Sequence, residues 1–179
     1  YETPDFALKS MLQNAGFNPR GDSDEIYNIE GENLSLIATS EITMLGYYSN
    51  EVVDLSKGPK IFAATSKCFR KEAGSYGRTS KGLYRVHQFS KLEIFAICKP
   101  EDSEKVHEKI KNIELEIVDG LEIPYQLIDI ASADLGGAAY RKYDIEAYMV
   151  MKGDDQNQGD YGEITSTSNC LDFQARRAN

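Results

Sequence analysis

The amino-acid sequence predicts an α+β protein in which an antiparallel β-sheet is flanked by helices. Two runs rich in β-branched and aromatic residues, KIFAATSKCF and VHQFSKLEIFAIC, have the pattern expected of the two strands of a hairpin. A long stretch of helical periodicity follows over residues 100–121. Three further strand candidates come after it, at residues 125–130, 143–150 and 162–168.

The elements before the hairpin are predicted from spacing and turn signals. Apolar residues follow helical spacing over residues 5–15, and Gly16 is suited to end that helix. An acidic, turn-rich segment then leads to a short strand over residues 34–39. The next helix carries Glu41 in its first turn, so Thr39 is expected to be its N-cap.

The helix over residues 100–121 is the strongest local prediction. Pro100 suits a first turn, and the apolar residues recur at steps of three or four. His107 lies beside the apolar stripe without a metal-ligand partner at suitable spacing, so it is expected to be a surface residue. His87, in the hairpin, is expected to be a packed or hydrogen-bonded core residue, and residues 153–160 are expected to form a polar hairpin loop or insertion.

Composition limits the classes of function. A chain of 179 residues with 41% hydrophobic residues can form one domain with a core. Its net charge of −9 disfavours general coating of nucleic acid. Three cysteines without CxxC spacing favour a reducing compartment and no structural zinc. No apolar run has membrane-spanning length, and the start YETPDF is neither a signal peptide nor an initiator methionine, so we expect part of a longer protein.

The segment between the hairpin strands is suited to bind an anion. Glycines at positions 74, 77 and 82 permit positive φ and let the backbone approach a ligand. Phosphate is the natural partner, because a guanidinium can bind two of its oxygens at once. The cations of this segment are Arg70, Lys71, Arg78, Lys81 and Arg85.

The second hairpin strand adds an aromatic ring and a carboxylate. Strand side chains alternate between faces, so Phe89 and Glu93 share one face with Lys91 between them. Such a face could stack a base and pair an ammonium group. From this pattern alone, a surface hairpin with solvated charges remains an equal alternative.

The order of residues resembles a known family. FRKEAG followed by GLYRVHQFSKLE resembles motif 2 of class II aminoacyl-tRNA synthetases, and the HQF with Glu93 four residues beyond Phe89 resembles seryl-tRNA synthetases in particular. The resemblance runs from about Asn33 to the last residue. The other matching segments, in chain order, are ATSEIT, KYDIEAYM and YGEITSTSNCLDFQARR.

The resemblance implies a fold and an activity. Residues 1–179 would be an incomplete class II catalytic core, with motif 2 at residues 60–98 and without motif 1, motif 3 or the coiled-coil tRNA arm. The implied enzyme activates L-serine with ATP to seryl-adenylate, releases pyrophosphate and transfers serine to tRNA(Ser). ATP and Mg²⁺, and not zinc, would be its cofactors. The full-length protein would be a homodimer in the cytoplasm, an organellar form being open, with no membrane association.

The resemblance also implies roles for individual residues. Arg70 would hold the serine carboxylate and the α-phosphate, Phe89 would stack on adenine, and Glu72 would accept a hydrogen bond from the adenine amino group. The implied catalytic residues are Arg70 and Glu163, and the implied metal ligands are Glu163 and Ser166. The implied serine-binding residues are Thr39, Glu41, Arg70 and Glu93. The implied ATP-binding residues are Arg70, Lys71, Glu72, Val86, Phe89, Glu163, Ile164, Thr165 and Ser166.

Three departures and two alternatives accompany this interpretation. The chain has Thr43 where the family has proline and Ser40 where it has alanine, and the loop over residues 153–160 is longer than usual. One alternative is a paralogue that loads an amino acid onto a carrier protein, or that has lost activity and serves as a binding module. The other is a regulatory nucleotide-binding domain, which would not need the TSE and HQF segments.

Overall fold

The computed structural model describes residues 1–17, 25–72, 84–153, 156 and 158–179. These residues divide into two compact units, Tyr1–Ile97 with Asp172–Asn179, and Cys98–Leu171. Part of the predicted loop at residues 153–160 lies outside the described residues. The predicted anion-binding residues that also lie outside them are Gly74, Gly77, Arg78, Lys81 and Gly82.

The described strands are all antiparallel, which confirms the α+β prediction. They form the pairs β1–β2 and β3–β4 and the three-stranded sheet β5–β6–β7. Short 3₁₀ turns span Pro100–Asp102 and Val150–Lys152. In chain order the other elements are β1 (Phe6–Leu8), α1 (Lys9–Asn14), β2 (Leu34–Leu36), α2 (Glu41–Tyr47), β3 (Lys60–Phe69), β4 (Gln88–Ile97), α3 (Ser103–Gly120), β5 (Tyr125–Asp129), β6 (Arg141–Met149), β7 (Asp160–Asn169) and α4 (Phe173–Ala178).

The beginning of the first unit differs from the sequence prediction. Residues 6–8 form β1, paired with β2, so the helix begins at Lys9 and not at residue 5. Pairing with a distant strand satisfies the backbone of these residues, which overrides their helical spacing. The strand predicted over residues 34–39 ends at Leu36. Behind these elements the apolar core consists of Leu12, Ala15, Ile26, Ile37, Ile42, Leu45 and Ala178.

The predicted hairpin is confirmed as β3 and β4, each of ten residues. The strand β4 begins at Gln88, so Val86 precedes the strand and does not belong to it as predicted. Phe89 and Glu93 lie opposite Cys68 and Ala64, both of which are buried. The face with the ring and the carboxylate is therefore the covered face of the hairpin within this unit.

The second unit consists of a three-stranded sheet with α3 on one face. The hydroxyl of Tyr143 donates to Glu108 at 3.0 Å and that of Thr165 donates to Glu114 at 2.7 Å. Both glutamates belong to α3. The side chains of Tyr143 and Thr165 therefore point to the helix-covered face of the sheet.

The expectation for His107 is wrong. The residue is only 3% exposed, and its Nε2 donates a hydrogen bond to the carbonyl oxygen of Thr167 at 3.1 Å. Its ring centroid lies 5.2 Å from that of Tyr143. A helical residue beside the apolar stripe is buried when the helix packs on a sheet, and the backbone carbonyl satisfies the ring nitrogen.

No helix in the described part of the chain is both long enough and apolar enough to cross a membrane.

Candidate active site

A corner between β2 and α2 forms one side of the candidate site in the first unit. Ile37, Thr39 and Ser40 are at most 1% exposed. The backbone N–H of Phe69, the last residue of β3, donates to the carbonyl oxygen of Ile37 at 2.8 Å. Because Arg70 follows Phe69 directly, this bond holds the predicted phosphate-binding arginine beside the corner.

Thr39 joins the corner to β4. Its hydroxyl donates to Oε2 of Glu93 at 2.5 Å, and Nζ of Lys91 lies 2.6 Å from the same oxygen. The expected capping role is wrong, since Ser40 is the N-cap residue of α2 and makes no side-chain cap bond. Thr39 keeps only a long contact of 3.4 Å from the N–H of Glu41. A buried hydroxyl and a carboxylate of distant segments are thus fixed against each other.

Within this cluster, the carboxyl group of Glu41 has the most strongly shifted pKa. Burial raises the pKa of its carboxyl from 4.5 to about 7, and the nearby carboxylate of Glu93 adds to the increase. A hydrogen bond from Gln174 and the charge of Lys91 oppose it. Two neighbouring carboxyl groups in a partly buried site favour the arrival of a cation such as an ammonium group.

Arg70 and Phe89 lie next to this acidic cluster. The guanidinium carbon of Arg70 is 5.2 Å from the centroid of the Phe89 ring, within the range of a cation–π contact. Nη2 of Arg70 is 3.5 Å from the carbonyl oxygen of Ala38, in the corner. Its backbone N–H donates to the carbonyl oxygen of His87 at 3.0 Å. A cation and a flat ring thus lie beside the two carboxyl groups.

The other predicted nucleotide-binding residues of this unit are held by ion pairs and ring contacts. Oε2 of Glu72 lies 2.5 Å from Nη1 of Arg85. Nζ of Lys71 lies 5.9 Å from the ring centroid of Tyr27. The hydroxyl of Tyr27 is 2.7 Å from Nδ1 of His87, so His87 is hydrogen-bonded as expected, but it is exposed and the expectation of a core position is wrong. Val86, half-buried, lies between Arg85 and β4.

In the second unit, a β-bulge decides which way Glu163 points. Thr165 pairs with Ile145, Glu163 pairs with Glu146, and Ile164 is the extra residue between them. Their partners Glu146 and Ile145 are neighbours on β6, and their side chains therefore point to opposite faces of the sheet. The side chains of Glu163 and Thr165 point to opposite faces as well, although the two residues are two apart. In a regular strand they would share a face.

The same bulge brings Glu163 and Ser166 to one face. Ser166 lies opposite Asp144, and Asp144 and Glu146 share the face turned away from α3. Residues three apart in a regular strand would lie on opposite faces. The two residues predicted to bind a metal therefore share a face because of the bulge, and Thr165 turns to α3.

Sequence reasoning missed acidic residues of this same face. Asp144 is buried and lies 2.9 Å from Nζ of Lys142, while Oε2 of Glu146 accepts a hydrogen bond from Nε2 of Gln126 at 2.7 Å. The signal was present in KYDIEAYM, where Lys142, Asp144 and Glu146 alternate with apolar residues. This alternation could therefore have predicted a strand with one polar face and one face covered by a helix.

The donors on this face suit Mg²⁺. Glu163 offers a carboxylate and Ser166 a hydroxyl, which are oxygen ligands of the kind that this ion prefers. Among the described residues there is no group of three or more His, Cys, Asp or Glu that could hold a metal ion. Mg²⁺ commonly uses one or two protein ligands and takes the rest from water and substrate phosphates, so the donor set fits.

Comparison with known proteins identifies the class. Residues 25–179 match the family described as the tRNA synthetase class II core domain of the G, H, P, S and T enzymes, and the chain belongs to this family. Among curated relatives, the serine–tRNA ligase of Rhodopirellula baltica is 54% identical over 177 residues. The match covers 99% of this chain and 41% of that relative, so the chain spans well under half of its relative's length.

Two solved structures agree with this assignment. The seryl-tRNA synthetase of Pyrococcus horikoshii, complexed with ATP, matches with a TM-score of 0.91 and 41% identity, over 100% of this chain and 38% of that one. The cytoplasmic serine–tRNA ligase of Naegleria fowleri, in complex with AMP, matches with a TM-score of 0.88 and 35% identity, over 99% and 41%. The class II catalytic fold predicted from the motifs is thereby confirmed.

Proposed function

We propose that this chain is the catalytic region of a seryl-tRNA synthetase, which activates L-serine with ATP to seryl-adenylate and transfers serine to tRNA(Ser). One observation carries the proposal: Thr39 and Glu93 are hydrogen-bonded at 2.5 Å beside Glu41 and Arg70. A small amino acid needs a carboxylate for its ammonium group, a cation for its carboxylate and a polar group for its hydroxyl. The serine–tRNA ligases among the relatives support the same substrate.

The first step requires alignment and charge compensation. A carboxylate oxygen of serine attacks the α-phosphorus of ATP, the new P–O bond forms, and the bond to pyrophosphate breaks with its electron pair. Arg70 can contact the serine carboxylate and the α-phosphate together, because its fork presents several N–H donors. No side chain need form a covalent bond, so positioning and electrostatic stabilisation account for the role of the protein.

The serine pocket would use the acidic cluster. Glu93 takes the ammonium group, with Glu41 adding a second negative charge as the cation displaces its proton. Thr39 and Glu41 border a small polar site, which rejects larger side chains by shape and by leaving buried polar groups without partners.

The nucleotide would use the beginning of β4 and the residues after β3. Phe89 stacks on adenine, Glu72 accepts a hydrogen bond from the adenine amino group, and Val86 borders the base. The ion pair with Arg85 fixes the carboxylate of Glu72 before the base arrives. Lys71, next to Arg70, adds positive charge for the phosphates.

Glu163 and Ser166 would hold Mg²⁺ against phosphate oxygens of ATP. When bound, the ion would spread the negative charge that develops on those oxygens. The hydroxyl of Thr165 is bonded to Glu114. We therefore expect Thr165 and Ile164 to contribute through their backbone groups, while Glu163 both binds the ion and positions the nucleotide.

The wider assignments follow from the same proposal. The full-length protein would be a homodimer, would bind tRNA(Ser) and would act in the cytoplasm. An organellar form, and an acceptor other than tRNA, remain alternatives. The sequence prediction that residues 1–179 are a partial catalytic core also stays a prediction.

Serine-dependent exchange between ATP and pyrophosphate tests the proposal. A full-length protein containing this chain should exchange with serine in preference to glycine, alanine, threonine or proline. Exchange with another of these amino acids and not with serine would contradict the substrate. Charging of tRNA compared with that of a carrier protein then identifies the acceptor.

A single substitution tests the serine pocket. Glu93→Ala should raise the KM for serine far more than the KM for ATP, because the lost carboxylate contacts the ammonium group. Glu51→Ala, at an exposed position, is the matched control. Equal increases of both KM values would contradict the role of Glu93.

A further inference from the structure

Gln174 is a buried residue of α4 that no motif-based role explains. It is 8% exposed, and its Nε2 donates to Oε1 of Glu41 at 2.5 Å and to the carbonyl oxygen of Ala15 at 3.1 Å. The amide group has two N–H donors, so these two bonds use both of them. Gln174 thus links the residue after α1, the first residue of α2 and its own helix.

The bond to Ala15 decides which end of the amide faces Glu41. A backbone carbonyl oxygen only accepts hydrogen bonds, so the nitrogen of the Gln174 amide must lie on that side. The same nitrogen reaches Oε1 of Glu41, and the amide oxygen cannot take its place without losing both bonds. The donor presented to Glu41 is therefore fixed by the fold and not by a free rotation of the side chain.

The charges around Glu41 explain why such a donor matters. Glu93, on β4, repels its carboxylate, and Lys91, also on β4, attracts it. Gln174 is the group on α4 that stabilises the ionised form through a hydrogen bond. Lys91 and Thr39 both bind the carboxylate of Glu93, whereas the carboxylate of Glu41 accepts its hydrogen bond from Gln174.

We propose that Gln174 is a positioning residue of the amino-acid pocket, which orients the Glu41 carboxylate toward the bound ammonium group through its amide donor. This inference rests on the proposed function of the pocket. Gln174 does not touch the reacting atoms, and it acts through Glu41. Its loss should therefore weaken binding of the amino acid and leave binding of ATP largely unchanged.

Two substitutions separate hydrogen bonding from packing. Gln174→Met keeps an unbranched side chain of similar length but removes both donors. A full-length protein with this change should have a KM for serine raised about tenfold or more, as expected for a lost hydrogen bond to a charged group. The KM for ATP should change by less than about twofold. Gln13→Met makes the same chemical change at an exposed position of α1 and should alter neither value.

The second substitution has a signature in its pH profile. In Gln174→Glu the introduced carboxyl can donate to Glu41 only when it is protonated. The increase of the serine KM over the wild-type value should therefore be largest near pH 8 and should become smaller toward pH 6. In Gln174→Met the increase should not become smaller at low pH. A merely structural role would affect both variants at every pH.

The outcomes decide between the inference and the function on which it rests. If ATP–pyrophosphate exchange by the wild-type protein does not depend on serine, the proposed function is overturned. Wild-type exchange with a normal serine KM in Gln174→Met would overturn only the positioning role. Parallel increases of the serine and ATP KM values would overturn it as well. If Gln174→Met does not fold, the pH profile of Gln174→Glu decides, and a flat profile overturns the inference.

Discussion

Replacing Glu41 with glutamine should stabilise the protein at alkaline pH and have little effect at acidic pH. Burial raises the pKa of this carboxyl from 4.5 to about 7, so the folded state resists ionisation that the unfolded state permits. The stabilisation linked to a raised pKa is complete below the unfolded value and is lost as the pH rises through the folded value. The wild-type protein therefore loses stability between about pH 4.5 and pH 7 at this site.

The size of the effect follows from the two pKa values. Each pKa unit is worth about 1.4 kcal/mol, so values of 4.5 and about 7 correspond to about 3 kcal/mol of unfolding free energy above pH 7. Glutamine carries no charge, and its oxygen can still accept the hydrogen bond from Gln174. The free energy of unfolding of Glu41→Gln should thus increase by about 3 kcal/mol relative to that of the wild type between pH 4.5 and pH 8.

Urea unfolding of both proteins at a series of pH values measures this difference. A carboxyl ¹³C NMR titration, with the resonance assigned by its loss in Glu41→Gln, gives the pKa of Glu41 directly. Glu51→Gln removes a carboxylate from an exposed position and serves as the control. If the difference in unfolding free energy between wild type and Glu41→Gln is the same at every pH, the argument from burial is refuted.

Three other changes have defined outcomes. Arg70→Lys should lower ATP–pyrophosphate exchange by about 100-fold or more, because an ammonium group cannot bind two oxygens in a fork; near-normal exchange would remove Arg70 from its role. Insertion of one valine between Ile145 and Glu146 gives Ile164 a partner and removes the bulge, so Glu163 and Ser166, three apart in a regular strand, should lie on opposite faces and exchange should be abolished while circular dichroism stays unchanged; retained exchange would count against the shared face. Gly159→Ala places a Cβ within 2.9 Å of a backbone oxygen of β6, so the protein should lose about 1–3 kcal/mol in urea unfolding, and no loss would show that β6 can yield.

Local patterns predicted most of the elements. The hairpin, the helix α3 and the later strands followed from alternation and from steps of three or four, since each pattern reflects one buried face. The strand β1 was missed because its partner β2 lies far away in sequence, and only pairing makes residues 6–8 extended. His107 was misjudged for a related reason, because the sheet that buries it is formed by other segments.

The candidate site was predicted largely by resemblance. The structure brings together Thr39, Glu41, Arg70 and Glu93 in the first unit, as the resemblance implied. It also shows what resemblance alone did not reveal, that Gln174 holds one of the acids. Local propensity could not indicate this contact, because a buried glutamine in a helix can bond to many different partners.

The sequence by itself determined the α+β class, the hairpin and the residue types that suit binding of a phosphate, a base and an ammonium group, because alternation and side-chain chemistry are properties of short segments. Only the tertiary structure decided how those residues are used. The bulge at Ile164 places Glu163 on the same face of β7 as Ser166, which a regular strand would not do. Burial beside Glu93 raised the pKa of Glu41. The physical reason is that orientation and electrostatics depend on groups brought together from distant parts of the chain, which only packing specifies.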